Sequence, residues 1–504
     1  MHWSLWVSCS MASALTLAGS AASLPPQGVA VLPGEVRAQS VRSSDSPSFD
    51  GARVSLRAAR GETLALQTRV PGVATPTARL DVPADVATVN AFSVRALHVR
   101  SPSTDMYGPS AGRGAYPDVL VPESGDVHTP VAYFDVAVRP DAVPGDHHGS
   151  LTVGARTYPV TLRVSRARID VNREPLVWVF YLPKEVARVH GLADDDGPAE
   201  LDEERKYVEL FRTHGALLAS DLPPSRFPPR REFMHDVSFW PVAIDTSSDA
   251  AIERDTRAWL ALFEGSAVTP FAVPVDEPGD DAARKRARHV ADVIGHAGGG
   301  RPRLLRAVTD VASPIYGHSM DVFISPKNIP GARDEHAGRG EQFWTYNGKP
   351  PEAGSLTLDT ESGGLRTWGW IAERYRVPLW YAWEGLYFSD RYNGGGPTDV
   401  MTDAVTFDER RRGGTDFGNG DGVLAYPGPL PSLRLKSLRR GLEDRLLLEE
   451  LRHCGGNAEA DRIVRSVVPT ALADAKSEPS WPANETTWIH AHDDVLDAIE
   501  VHCP

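Results

Sequence analysis

The sequence predicts a multidomain chain: an N-terminal antiparallel β-sandwich, then a (β/α)8 barrel of the TIM type, then a helical C-terminal extension. Three observations predict it. Between about residues 30 and 168 short β-rich runs alternate with turn clusters, and no helical period intervenes. After Asp170 near-continuous apolar runs take turns with amphipathic helical stretches, a pattern that carries on to about residue 450. From 451 to 504 the spacing is helical.

Residues 1–22 are Ala/Leu-rich and end in small residues just ahead of Leu24-Pro25-Pro26, the outline of a secretory signal peptide cleaved near Ala22. Its n-region is atypical, with His2 in place of a lysine or arginine. The expectation is export to the periplasm or beyond, with no integral membrane span. The sandwich, 30–168, is carried by "RVSLRAA" (53–59), "TLALQTRV" (63–70), "NAFSVRALHV" (90–99), "PVAYFDVAV" (130–138) and "TYPVTLRVSRA" (157–167), with turns such as Pro144-Gly145-Asp146 between runs.

The barrel is expected over 171–450. "PLVWVFYLP" (175–183) reads as a strand covered on both faces, and a helix with Tyr207, Leu210, Phe211 and His214 on one side follows. Further strands fall at "GALLASDLP" (215–223), "TPFAVPVDEP" (269–278), "RLLRAVTD" (303–310), "DVFISP" (321–326), "EQFWTYN" (341–347) and "PLWYAWE" (378–384), and an eighth over "VSFWPVAID" (237–245). Helices separate several of them, one with Ala283, Ala287, Val290 and Ile294 inward and one around 366–376. In the last part Ser432 caps a helix carrying Leu435, Leu438, Leu442 and Leu446, and helical patterns follow over 457–475 and 486–500.

A formal net charge of −14 argues against a sequence-independent grip on nucleic acid. Signal-peptide cleavage would leave two cysteines, Cys454 and Cys503. In an oxidising compartment they are expected to pair, because further ligands at zinc-site spacing are missing nearby. The sequence carries no Gly-rich phosphate loop, zinc-protease motif or serine elbow.

The candidate catalytic residues are Asp276 and Glu277, which end the run "TPFAVPV" just before Pro278. Alternation sends adjacent strand residues to opposite faces, so the two carboxyls meet one ligand only where the strand bends. Two adjacent acids suit glycoside hydrolysis in which the substrate's own 2-acetamido group is the nucleophile. Asp276 would orient the acetamido group, and Glu277 would be the acid/base. The same residues also fit a plain strand-ending turn, with Asp280 and Asp281 favouring the helix start beyond it. Trp344 and Tyr346, then Trp380, Tyr381 and Trp383, lie in or at the ends of two later barrel strands; Glu384 closes the second, and Tyr387 and Asp390 follow in "YFSDRYN". Such a set suits a carbohydrate pocket, since sugars stack their C–H faces on rings and bind acids through their hydroxyls.

At these residues the chain resembles glycoside hydrolase family 123 and the bacterial proteins that share its catalytic domain. The resemblance rests on "VDEP" (275–278), "DVFISP" (321–326), "FWTYNGKPP" (343–351), "LRTWGWIAERYRVPLWYAWEGLYFSD" (365–390), "NGDGVLAYPG" (419–428) and "PSLRLKSLRRGLEDRLLLEEL" (431–451). Upstream, "AARGETLALQTRV" (58–70) and "VPGDHHGSLTV" (143–153) look like strands of that family's N-terminal sandwich. The resemblance implies an exported, retaining exo-β-N-acetylgalactosaminidase that works through its substrate's acetamido group on a glycan or glycoconjugate, with no metal and no organic cofactor. Asp276 would then orient the acetamido group, Glu277 would serve as general acid/base, and Trp344, Tyr346 and Trp383 would wall the sugar subsite. Two other readings stay open: a glycosidase pairing Glu277 with a distant carboxylate such as Glu384, and a sugar-binding protein that does no chemistry.

Overall fold

Period-two burial builds the N-terminal region. In β2 (Val54–Arg60) Val54, Leu56 and Ala58 are buried while Ser55 is exposed. The computed structural model describes residues 30–33, 46–70, 76–171, 173–299, 304–327, 340–360 and 364–503; the expected signal peptide lies outside the described residues. With β2, the strands β1 (Ala30–Pro33), β3 (Thr63–Arg69), β4 (Ala78–Asp81), β5 (Ala87–Val99), β6 (Gly114–Glu123), β7 (Val131–Val138), β8 (Gly145–Val153) and β9 (Arg156–Arg168) form two sheets, ordered β1-β3-β7-β5-β6 and β2-β9-β8-β4. Leu56, Leu80, Leu151 and Leu162 of the second sheet share one apolar cluster with Leu64, Leu66, Phe134 and Val136 of the first.

One pairing departs from the antiparallel expectation: β2 runs parallel to β9, Val54 opposite Val160. After Arg60 the chain crosses to the other sheet and returns to β2 only at its far end, as a parallel partner must. Gly61 makes that crossing, with φ +82°; a Cβ there would stand 2.3 Å from the carbonyl oxygen of Ile169.

The second region is a curled parallel sheet. Its strands are β10 (Val177–Val179), β11 (Ala216–Leu218), β12 (Phe239–Pro241), β13 (Thr269–Ala272), β14 (Leu305–Val308), β15 (Val322–Ile324), β16 (Gln342–Tyr346) and β17 (Trp380–Ala382), in the order β11-β10-β17-β16-β15-β14-β13-β12. The edge strands β11 and β12 share no ladder, but just beyond them Ala243 N–H reaches the carbonyl of Leu222 at 3.1 Å. Their apolar faces fill the interior: Trp178 and Trp344 each stand edge-on to Phe271, with ring centroids 5.0 Å apart.

The crossovers are less regular than a full (β/α)8 pattern. α-Helices α1 (Pro183–Val189), α2 (Pro198–Arg212), α3 (Asp249–Leu262), α4 (Asp281–Ala297) and α5 (Arg366–Tyr375) flank the sheet. Between β11 and β12 the chain forms short 3-10 turns at Pro224–Arg226 and Pro228–Phe233, and between β14 and β15 one at Pro314–Tyr316. Each of these turns opens on a proline, whose missing N–H costs nothing at the first position of a helical turn.

The C-terminal helices are α6 (Leu433–His453), α7 (Asn457–Val467) and α8 (Glu485–His502). Ser432 caps α6, its hydroxyl accepting from Leu435 N–H at 2.9 Å. α6 runs unbroken through residue 450, so the barrel and the extension share a helix. It also carries buried cations into the N-terminal sheets: Lys436 meets Asp135 at 2.6 Å, Arg434 meets Asp118 at 2.8 Å, and Arg440 pairs with Glu62. Cys454 and Cys503, at the ends of α6 and α8, form a disulfide. The one cluster among the described residues with donor atoms close enough to hold a metal, Glu450, Cys454 and Cys503, has both sulfurs in that bond. No described helix is long and apolar enough to cross a membrane.

Candidate active site

Beyond Ala272 the chain of β13 leaves the sheet, and the two acids sit on the exposed turn that follows. Glu277 has φ +40°, a left-handed conformation that a side chain with a Cβ adopts only under constraint. This bend turns consecutive side chains away from the strict alternation of a strand. Thr309, just past β14, locks it: its hydroxyl accepts from Glu277 N–H at 2.6 Å and donates to Asp276 Oδ1 at 2.6 Å. One buried hydroxyl thus fixes both acids. From the end of β16, Tyr346 donates its phenol to Glu277 Oε1 at 2.8 Å. Burial and the charges of Glu277 and Asp276 raise the Tyr346 phenol well above its ordinary range, so it remains a donor.

Three more carboxyls gather around this pair. Asp221, beyond β11, is pushed up to about 7 by burial and by the charge of Asp276. Glu384, beyond β17, is pushed up to about 8 by burial, against the opposing pull of Arg391. Asp421 is pushed up to about 7 by burial, although Trp383 Nε1 donates to its Oδ1 at 2.9 Å. Tyr381 of β17 lies in the field of Asp276, Asp221 and Glu384, which joins the carboxyls across the mouth. Asn347, at φ +48°, holds the rim: its side-chain carbonyl accepts from Trp383 N–H at 2.9 Å, and its backbone carbonyl from Trp380 Nε1 at 2.9 Å.

The expected residues therefore divide. Asp276, Glu277, Tyr346 and Trp383 come together at the mouth. Trp344 does not: it is 1% exposed, edge-on to Phe239 and Phe271, and a filler of the interior rather than a wall of a sugar subsite. Its alternation with Tyr346 explains this, since both point inward but Trp344 lies one step deeper. Tyr387 and Asp390 are corrected likewise. The Tyr387 phenol donates to Asp390 Oδ1 at 3.1 Å, and Asp390 also accepts from Asn393 Nδ2 at 2.7 Å and Asp408 N–H at 3.1 Å; both are buried framework behind the rim. Glu384 is fully buried and bonded to Arg391, whose guanidinium lies over the rings of Tyr387 and Tyr392.

Asp221, Thr309 and Asp421 were not among the expected site residues. A usable signal existed for Asp221 and Thr309, in "LLASD" and "AVTD": each follows the last apolar residues of a barrel strand, as Asp276 does. Asp421 lies in "GNGDG", which reads as turns.

A curled eight-stranded parallel sheet with acids and rings at the carboxyl ends of its strands defines a barrel protein with a cluster of polar groups at its mouth. Among solved structures, the fold is that of a family 123 glycoside hydrolase from Clostridium perfringens, described in terms of glycolipid glycan hydrolysis; the TM-score is 0.67, over 94% of this chain and 98% of that chain, at 11% identity. A family 2 glycosyl hydrolase from Bacteroides cellulosilyticus (10% identity, 71% of this chain and 45% of that chain, TM-score 0.27) and an FMN-binding β-glucuronidase from Facaelibacterium prausnitzii (9%, 84% and 61%, TM-score 0.28) match too loosely to bear on the argument. No family model and no curated protein matches the sequence.

Proposed function

We propose that this protein is a glycoside hydrolase of the family 123 type, a retaining exo-β-N-acetylgalactosaminidase that uses its substrate's 2-acetamido group as nucleophile. The observation that carries the reading is the exposed Asp276–Glu277 pair, turned together by the left-handed Glu277 and held by one threonine hydroxyl. Glu277 donates a proton to the glycosidic oxygen as the C1–O bond breaks, while the acetamido carbonyl oxygen closes on C1 from the opposite face. Asp276 accepts the amide N–H and balances the positive charge of the ring that forms. Glu277, now a carboxylate, takes a proton from water as that water adds to C1, and the configuration is retained. Tyr346 keeps the Glu277 carboxyl aimed through both steps. Trp383, half-buried with its indole N–H committed to Asp421, offers a ring face for a sugar.

The pairing of Glu277 with a distant Glu384 is less well supported, because Glu384 is fully buried and engaged by Arg391. Export through residues 1–22 belongs to the same proposal, as does a glycan or glycoconjugate as substrate.

The test is release of chromophore from the 2-acetamido-2-deoxy-β-galactoside, its β-gluco epimer and the plain β-galactoside. Turnover of acetamido sugars alone, lost in Glu277→Gln and strongly reduced in Asp276→Asn, is the expected result. Turnover of the plain galactoside would remove the acetamido mechanism, and binding without turnover of any glycan would leave a lectin-like protein.

A further inference from the structure

The N-terminal region does more than pack beside the barrel: one of its loops is built into the mouth. Residues 103–110 are fastened at both ends. Ser103 donates through N–H and hydroxyl to Asp359 at 2.8 and 2.5 Å, and Ser110 Oγ donates to Asp359 Oδ2 at 2.5 Å. Asn419 N–H donates to Ser103 Oγ at 2.8 Å, and Thr104 exchanges bonds with Phe417, N–H to carbonyl at 3.0 Å and N–H to hydroxyl at 3.1 Å. Lys349 Nζ donates to the carbonyl of Asp105 at 2.6 Å. Gly108 lies so close to Pro350 that a Cβ would come within 2.7 Å of its ring.

These contacts set Tyr107 between two segments that already carry site residues. One runs from Tyr346, the partner of Glu277, to Pro350; the other runs from Phe417 to Asp421, the partner of Trp383. Tyr107 is half-buried, its phenol lies in the field of Asp421, Glu277, Tyr346 and Tyr381, and its hydroxyl has no hydrogen-bond partner among the described residues. Asp421 Oδ2, in a fully buried side chain, also has none among the described residues. A half-buried phenol without a partner at the edge of this polar cluster is a donor that a polar ligand would satisfy.

We infer that Tyr107 is a substrate-contacting residue supplied by the N-terminal region, donating its phenol to a hydroxyl of the sugar on the leaving-group side of the scissile bond. The side follows from its neighbours. Glu277 is the group that must face the leaving oxygen, and the loop that carries Tyr107 is fastened to Lys349 and Pro350, on the segment that begins at Tyr346, the partner of Glu277. The inference rests on the glycosidase reading for the meaning of "leaving group", while the presence of a sugar contact at Tyr107 does not.

The experiment measures binding and turnover separately. In a Glu277→Gln background, calorimetry compares N-acetylgalactosamine with a β-linked disaccharide bearing it at the non-reducing end, with and without Tyr107→Phe. The expected result is a disaccharide Kd weakened about tenfold by Tyr107→Phe, against less than threefold for the monosaccharide. With Glu277 intact, kcat/KM of Tyr107→Phe should fall about tenfold more on the disaccharide than on the aryl glycoside. Tyr107→Phe keeps the ring, so loss of the fold is not an issue; Tyr107→Ala should widen both ratios. Equal losses on mono- and disaccharide, no loss on either, or no binding of either sugar by the unsubstituted pocket would overturn the inference. Failure of the glycosidase reading has a different signature: discrimination in binding with no turnover anywhere.

Discussion

Two regions of this molecule bury carboxyl groups and treat them in opposite ways. Where α6 meets the N-terminal sheets, Glu62 and Asp135 are each given cations: Arg440 and His492 for the first, Lys436 and Arg439 for the second. Burial alone would raise both acids, yet those partners hold them well below the ordinary carboxylate range. At the barrel mouth Asp221 and Asp421 have no such full compensation, and Glu384 has Arg391 on one oxygen only. Burial wins there, and all three are held near or above 7. The comparison teaches that burial does not by itself set an acid's state; the balance between burial and the cations bonded to the carboxyl does. Even the interface holds one exception, Glu443, which burial and nearby Glu62 raise to about 8.

The contrast should break most sharply under substitution. Glu277→Gln should lower kcat/KM by about a thousandfold, the scale of a lost general acid, and leave the melting temperature within about 1 °C. A large loss of Tm instead would make Glu277 a structural residue. Asp135→Ala should do the reverse, destabilising by roughly 3–5 kcal/mol because Lys436 and Arg439 are left buried and unpaired, while KM for a glycan is kept in the protein that still folds. Thermal melts and denaturant titration check it; an unchanged midpoint would mean the ion pairs contribute nothing net.

Thr309→Val is the finer probe. It keeps the shape and removes the hydroxyl that joins Glu277 N–H to Asp276, so kcat/KM should fall about 10- to 50-fold with little change in KM. An unchanged kcat would show that the turn holds itself.

The smallest effect is the pH dependence of stability. The raised acids of the mouth favour the fold fully below the unfolded pKa of about 4, and that contribution is lost as pH rises through 7 to 8. Glu62 and Asp135 work in the other direction, favouring the fold above the unfolded value and losing that as pH falls below it. Tm should therefore decline on both sides, by about 1–3 °C per pH unit on the alkaline side. The double variant Glu384→Gln, Asp421→Asn should make the alkaline limb shallower, with Asp221 and Glu443 maintaining the rest of it, and leave the acid limb unchanged; a change in the acid limb instead would show that these two acids are not the source of the alkaline loss.

Much of this was legible in one dimension. Eight barrel strands and the cap at Ser432 follow from apolar runs, β-rich patterning and turn chemistry, because those are local properties. The acid pair stood out for the same reason, at the end of a covered strand just before a proline. What failed was depth. Trp344 and Tyr346 are two residues apart on one face, and nothing local says that the first fills the interior and the second reaches the mouth. Tyr387 and Asp390 misled likewise, because a polar aromatic segment reads the same whether it meets a sugar or itself.

The sequence by itself determined that strand-rich patterning gives way to an alternating parallel sheet, and that two acids close one of its strands. Only the tertiary structure decided that β2 lies parallel to β9, that Thr309 binds both acids, and that Tyr107, 169 positions ahead of Asp276, stands at the same mouth. Secondary structure is set by spacings of a few residues, whereas these contacts depend on how whole sheets and loops close on one another, and no local period records that.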